Sequence, residues 1–185
     1  MADFKNVENY LHSFGKYVVK QSRTMLTKAK KNVSKDLYNS IKYEVVSEGD
    51  NFILQFYMLD YGQFVDKGVS GKKKIQNYIT WDKKNIASTF QYTTKGPPID
   101  IISKWIKRRG IKPKGTGRGR SKKSGQYISG LAYLISKSIK RDGIKSLAFF
   151  QRPLGLGMER FGAELLGNVK QDIIDTLNET ITTID

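Results

Sequence analysis

Apolar residues recur along the chain first at helical spacing and then at strand spacing. Phe4, Val7, Leu11, Phe14, Val18 and Met25 follow one another at steps of three and four, with polar Gln21 filling one place in the series. This stripe predicts an amphipathic helix from Phe4 to about Lys31. Its other face carries Lys16, Lys20, Lys28, Lys30 and Lys31, the pattern of a solvated surface. Ser34, Leu37 and Ile41 restart the helical pattern for a single short turn. A strand is predicted from Ile41 to Ser47, a turn at Glu48-Gly49-Asp50-Asn51, and a returning antiparallel strand from Phe52 to Leu59, where Phe52, Leu54, Phe56 and Met58 share one face. A long helix followed by a hairpin predicts a sheet with one face covered by that helix.

The second strand runs straight into Asp60-Tyr-Gly-Gln-Phe-Val-Asp-Lys-Gly-Val-Ser-Gly71. Gly62 is expected to bulge the strand without ending it, so that Tyr61, Phe64 and Val65 re-aim the chain. Gly68 and Gly71 are expected at positive φ, with Asp66 as a turn residue bonded to its own backbone. Beyond Gly71 the period is lost. Lys72, Lys73 and Lys74 precede Tyr78, Trp81, Phe90 and Tyr92, which are spaced neither as a helix nor as a strand. Lys72 to Gly96 therefore reads as a long excursion, with a short strand near Thr89 to Thr93; an excursion of this length implies a partner.

Pro97 and Pro98 suit the start of a helix, whose apolar face is Ile99, Ile102, Trp105 and Ile106 and whose end is marked by Gly110. No acidic residue occurs from Lys104 through Lys123, and Lys112 to Lys123 has almost nothing to bury, which predicts a flexible basic loop. A further helix is expected from Gln126 to Arg141, with Ile128, Leu131, Leu134, Ile135 and Ile139 on one side and Asp142-Gly143 closing it. Ile144 to Pro153, with Leu147, Phe149 and Phe150, reads as a short strand or an aromatic plug. Met158, Phe161, Leu165, Val169, Ile173, Leu177 and Ile181 define a long C-terminal helix. The fold class is thus α+β: an antiparallel sheet against long N- and C-terminal amphipathic helices, both on the same sheet face. It is read as one domain over 1–185, with 72–123 an extended basic and aromatic insertion.

Charge sharpens this picture. Among 185 residues, 33 are basic and 17 acidic, a net charge of +16, which points to a polyanion or an acidic protein surface. There is no cysteine, so disulfides and thiolate metal sites have no parts. No apolar h-region opens the chain and no run approaches the roughly 18 apolar residues that span a bilayer, so a soluble protein without a cleaved signal, and no membrane partner, is expected.

Catalytic constellations are tested against the same residues. His12 is the single histidine and sits beside Leu11 on the helical stripe, so a solvated or partly packed side chain is expected there. With one histidine and no cysteine, zinc sites and Ser-His or Cys-His nucleophiles cannot be assembled. A carboxylate metal site of a nuclease could draw on Asp60, Asp66 and Asp82, but they sit in no recognised spacing. The run Gly115-Thr-Gly-Arg-Gly-Arg-Ser-Lys-Lys-Ser fails as a phosphate loop, because no Gly-Lys-Ser/Thr follows a glycine five positions earlier. What remains is electrostatic. Arg108, Arg109, Lys112, Lys114, Arg118, Arg120, Lys122 and Lys123 are the candidate contacts to a polyanion, following a phosphate backbone without reading bases, or to an acidic neighbouring subunit. No catalytic, metal-binding or cofactor-binding residue and no cofactor is expected.

Taken in order, several segments share an outline with a known family: Ser34-Lys-Asp-Leu-Tyr-Asn-Ser-Ile entering a hairpin, Tyr61-Gly-Gln-Phe-Val-Asp-Lys-Gly-Val-Ser-Gly, Pro98-Ile-Asp-Ile-Ile-Ser-Lys-Trp-Ile with Arg109-Gly-Ile, Ala132-Tyr-Leu-Ile, and Ile139-Lys-Arg-Asp-Gly-Ile before a C-terminal helix. The order resembles the tailed-bacteriophage neck, head-tail connector and tail-completion family over most of the chain. Tyr61, Gly62, Phe64, Val65, Asp66 and Gly68 form the family-like turn. The resemblance implies a non-enzymatic virion protein, present in the host cytoplasm before assembly. It implies a homo-oligomeric ring between the portal or adaptor side and the tail tube, through which the genome passes. On that basis Tyr78, Trp81, Phe90 and Tyr92 would lie on an interface arm against a neighbouring subunit, and the basic loop would face genome DNA or an acidic adaptor. The alternative is a nucleic-acid-binding accessory protein without sequence specificity.

Overall fold

The computed structural model describes residues 4–31, 34–48, 51–111, 118–120 and 127–182, with backbone alone at 118–120, 127–129 and 179–182. The fold is α+β, with long N- and C-terminal helices and small antiparallel sheets. Two compact units are built from interleaved segments: Met1–Asp60, Ile79–Lys84 and Phe149–Asp185 form the first, Tyr61–Tyr78 and Asn85–Ala148 the second.

In the first unit, α1 (Lys5–Lys28) buries Val7, Phe14, Val18, Val19 and Leu26, close to the stripe read from its periodicity. Lys30, at φ 53°, ends it, with the Lys30 and Lys31 amides bonded back to Thr27 and Leu26 carbonyls. This left-handed closure normally favours glycine. After the short α2 (Asp36–Ser40), β1 (Lys42–Glu48) pairs antiparallel with β2 (Asn51–Tyr57) in a register running from Lys42 opposite Tyr57 to Glu48 opposite Asn51. The hairpin packs on α1, and α6 (Gln151–Thr182) lies along α1. Both helices were expected on one sheet face; instead α6 takes α1 as its main support. Gly157 allows this closeness, because a Cβ there would stand 2.7 Å from the Phe14 ring. Phe161 then meets Tyr10, Phe14 and Tyr17 at ring-centroid separations of 5.4 to 6.0 Å.

The C-terminal helix differs from its sequence reading in extent and in face. It starts at Gln151, so Phe149, fully buried, and Phe150, edge-on to Phe56, are the plug that precedes it. Phe161, Leu165 and Val169 are partly buried as the stripe required, whereas Met158 (48 % exposed), Ile173 and Leu177 are not. Asp172, at 1 % exposure, occupies the buried row. Each step of four residues overshoots one turn of a 3.6-residue helix by about 40°, so a row continued in fours from Phe161 leaves the contact line by Ile173 and Leu177.

The second unit overturns several expectations. Gly62–Lys67 is a helix, α3, so Gly62 does not bulge a continuing strand; the strand ends at Tyr57. One helical turn of six residues shows no period long enough to be read. Asp66 is buried in the last turn of α3 rather than making a local turn. Gly68 has φ 75°, as expected. Gly71 has no positive φ; it is bare because a Cβ would come within 2.3 Å of the Arg141 carbonyl oxygen.

The segment after Gly71 is not structureless. β3 (Val69–Ser70) pairs with β8 (Gly143–Ile144), and β4 (Asn77–Ile79) with β5 (Asn85–Ala87). Gln91 bridges to Ser70 in parallel, with Ser70 donating its N–H to the Phe90 carbonyl and Tyr92 donating to the Ser70 carbonyl. That places pairing inside the Thr89 to Thr93 window. Two- and three-residue strands carry backbone bonds without a readable alternation.

α4 (Ile99–Arg108) packs on α5 (Gly130–Asp142) through Ile102, Ile106 and Ala132, with Ile99, Leu131, Ile135 and Ile139 around them. Trp105 and Leu134, assigned to these apolar faces, are 40 % and 53 % exposed. Gly110, at φ 63°, closes α4 as expected. Within the predicted basic loop, Arg118–Arg120 is a strand, β6, antiparallel to β7 (Tyr127–Ser129), while 112–117 and 121–126 lie outside the described residues; the helix expected from Gln126 starts at Gly130. An Arg-Gly-Arg strand has no apolar alternation to betray it, since its ladder needs only peptide groups.

Candidate functional site

α1 reaches the hairpin with its cationic face turned along a groove. The groove, of about 970 Å³, is bounded by α1, α2 and the start of β1, and Lys16, Lys20, Arg23, Lys28 and Lys42 line it together with Val19, Ile41, Tyr38 and Tyr43. No carboxylate lines it. Five cations without a counter-charge give a positive potential that neighbouring low-dielectric walls concentrate. Among the described residues, none of the four lysines forms an ion pair.

The groove has a rigid part and an adaptable part. Arg23 is the rigid part: its Nε donates to the Tyr38 carbonyl at 3.0 Å, its Nη2 donates to the Ile41 carbonyl at 2.9 Å, and its guanidinium lies 5.2 Å from the Tyr38 ring centroid. These bonds leave the charge in place while fixing α2 and the entry to β1 on α1. Lys16, Lys20, Lys28 and Lys42 are exposed and supply charge on flexible stems. Tyr38 and Tyr43, partly buried, give the groove its accessible apolar surface, above the buried Val19 and Ile41. The arrangement suits a ligand that is anionic at its edge and apolar beneath.

Sequence periodicity identified Lys16, Lys20 and Lys28 as one face of a helix but gave them no ligand. The missing signal was tertiary: Lys42 joins them only once the hairpin is docked. Nothing in the spacing connects it to α1.

The contacts proposed from composition are distributed differently. Arg108 is exposed in the last turn of α4 and Arg109 is its C-terminal cap. Arg118 and Arg120 lie on β6, while Lys112, Lys114, Lys122 and Lys123 fall outside the described residues. Of the four arm aromatics, Tyr78 is buried, Phe90 meets Phe64 edge-on at 4.6 Å and Tyr92 is partly buried. Burial raises the Tyr92 phenol above its ordinary range. Trp81 alone is well exposed, at 49 %.

Trp81 sits in the tip Ile79–Lys84 between β4 and β5, which lies on α6 within the first unit. Its backbone N–H donates to Gln151 Oε1 at 3.0 Å, Gly155 has no room for a Cβ beneath the Trp81 carbonyl, and Lys83 pairs with Glu159. Gln151, Gly155 and Glu159 are successive places on one helix face. Within the tip, hydrogen bonds from Lys84 and Thr80 hold the Asp82 carboxyl below its usual range. Asp82 is thereby a turn-stabilising residue. Among the described residues no group of three His, Asp or Glu side chains could hold a metal ion.

The family-like turn contributes structure. Val65 and Asp66 carbonyls accept the Leu147 and Ala148 amides at 3.0 and 2.9 Å, and the Ser146 hydroxyl also donates to the Asp66 carbonyl at 2.5 Å. Tyr61 and Phe64 remain 42 % and 44 % exposed. His12 is partly packed, 5.8 Å from the Tyr43 ring and 3.9 Å from Glu8. No helix among the described residues is long and apolar enough to cross a membrane. Comparison with protein-family models, curated proteins and solved structures finds no match.

Proposed function

We propose that the chain is a structural virion protein of the phage neck, a subunit of a head-tail connector or tail-completion ring through which the genome passes. It acts by shape and interface burial, without turnover. Beyond the ordered segments that resemble that family, one observation carries the reading: large apolar side chains stand exposed on a strongly charged chain. Leu156, Met158, Leu166, Ile173 and Leu177 are all between 48 % and 74 % exposed along α6, and Ile75, at 70 %, precedes β4. Single exposed apolar residues need no explanation, but a series along one helix is the composition of a surface that becomes covered.

Trp81 suits an interface anchor, because a large amphipathic ring with two rotatable bonds loses little entropy on docking. The basic residues would then meet acidic neighbours or the DNA in the channel. A second reading, a non-specific nucleic-acid-binding accessory protein, is favoured by the net charge of +16.

Retention on duplex DNA separates the two. A structural subunit should bind duplex weakly at physiological salt and be released by a modest rise in salt. Tight retention with a steep log-log salt slope would favour the accessory protein. Purified particles carrying a tagged copy at the junction of capsid and tail support the neck assignment; exclusion of the tagged chain from finished particles contradicts it.

A further inference from the structure

We propose that the acidic C-terminal part of α6 from one copy of this chain docks in the cationic groove of the next copy. The inference deepens the ring reading above and rests on it for its biological setting. The two surfaces are complementary in charge and in apolar pattern. From Gln171 to Asp185 the chain carries no lysine or arginine and, besides the buried Asp172 that holds α1, the three acidic residues Asp175, Glu179 and Asp185, within a protein whose basic residues outnumber its acidic ones by 33 to 17. On the same stretch Ile173, Ile174 and Leu177 are 48 %, 38 % and 57 % exposed. Ile173 and Leu177 stand four apart and share a helix face, with Ile174 flanking them. An amphipathic helix that offers apolar anchors and carboxylates matches an apolar surface rimmed by Lys16, Lys20, Lys28 and Lys42.

The groove cannot be filled by the same copy's own helix. α6 runs antiparallel to α1, since Phe161 lies against Phe14 while Asp172 bonds Asn6 and Val7 at the start of α1. The groove lies along the other half of α1, from Lys16 to Lys28. At 1.5 Å per residue, Lys20 is roughly 20 Å from the Asp172 contact, and the ten residues from Asp172 to Thr182 carry α6 roughly 15 Å further away. Donor and acceptor surfaces therefore sit at opposite ends of one helix pair. A contact between unlike surfaces is head-to-tail, and repetition closes it into a ring or extends it as a filament.

Size and chemistry favour a helix over a nucleic acid strand. Two turns of helix, about 11 Å long and 10–12 Å across, occupy on the order of 1,000 Å³, the scale of the groove's 970 Å³. A phosphate backbone brings no apolar group to the partly exposed Tyr38 and Tyr43 that line the groove beside the lysines, whereas a helix carrying Ile173 and Leu177 does.

The test uses two full-length variants. Lys16→Gln with Lys20→Gln removes two of the groove's cations, and Asp175→Asn with Glu179→Gln removes two of the helix end's carboxylates. Circular dichroism and melting checks that each folds. Analytical ultracentrifugation of the unaltered chain should show association beyond the 21.1 kDa subunit, weakened at least about tenfold in either variant. Mixed in equal amounts, the variants should form a one-to-one dimer that grows no further, because one retains only a groove and the other only a helix end. Assembly that neither variant disturbs overturns the docking while leaving the ring intact. An unaltered chain that stays monomeric at every concentration overturns the docking as well. A groove variant that loses duplex DNA, with self-association unchanged, assigns the groove to nucleic acid and overturns it. Charge-dependent pairing in a chain excluded from particles would instead sink only the neck reading.

Discussion

Asp172 shows what one misplaced-looking residue can do. α1 begins at Phe4 without any side-chain cap of its own, leaving its first amides unsatisfied. Asp172 reaches across from α6: Oδ1 accepts the Asn6 amide at 3.0 Å and Asn6 Nδ2 at 2.7 Å, and Oδ2 accepts the Val7 amide at 2.9 Å. A carboxylate there also opposes the positive end of the helix. Asp172→Ala should therefore cost about 2–3 kcal/mol, combining the loss of a cap with buried amides left unpaired. Chemical denaturation measures it, and a change below about 0.5 kcal/mol would mean that water replaces the carboxylate. From sequence, this residue is merely an acid interrupting an apolar repeat. Its partner lies 166 residues away, so no local pattern can reveal it. Lys30 and Lys35, both at positive φ, were hidden for a related reason: lysine seldom adopts that conformation, so neither residue signals a helix boundary.

At the scale of elements, long periodic segments were legible, and of the short ones only those with a helical apolar spacing, such as α2 with Leu37 and Ile41, could be read. α1, the β1–β2 hairpin, α4 and the core of α5 follow from runs long enough to repeat a period several times. α3 and the β3, β4, β5 and β6 strands, of six residues or fewer, could not. The glycine closing α3 was legible, because a positive-φ glycine leaves its mark in the sequence. Replacing Gly68 by Val should destabilise the chain by about 3 kcal/mol or more, since φ is 75° and a Cβ would lie 2.7 Å from the Ser146 amide nitrogen. Thermal unfolding checks this; an unchanged midpoint would mean that the α3 exit can rearrange. By contrast, replacing Arg118, Arg120, Lys122 and Lys123 together by serine should leave the fold intact. Surface charges contribute little to stability, and the β6–β7 ladder is made of peptide groups. A large drop in melting temperature would contradict that. The groove was half legible: its α1 lysines lay on one visible stripe, and Lys42 entered only through tertiary docking.

For the molecule as a whole, interleaving explains why no domain boundary is visible in the sequence. Each compact unit takes segments from distant parts of the chain, so composition cannot change cleanly at a seam. Exposed apolar residues on α6 and a groove of uncompensated cations are surfaces at odds with a solitary existence. Together they support the proposal of a subunit whose work is joining copies to one another and to neighbouring proteins. The most direct test is electron microscopy of the purified, full-length chain at high concentration. The account predicts closed annular particles with a central channel. Isolated subunits throughout, in a preparation that circular dichroism shows to be folded, would contradict it.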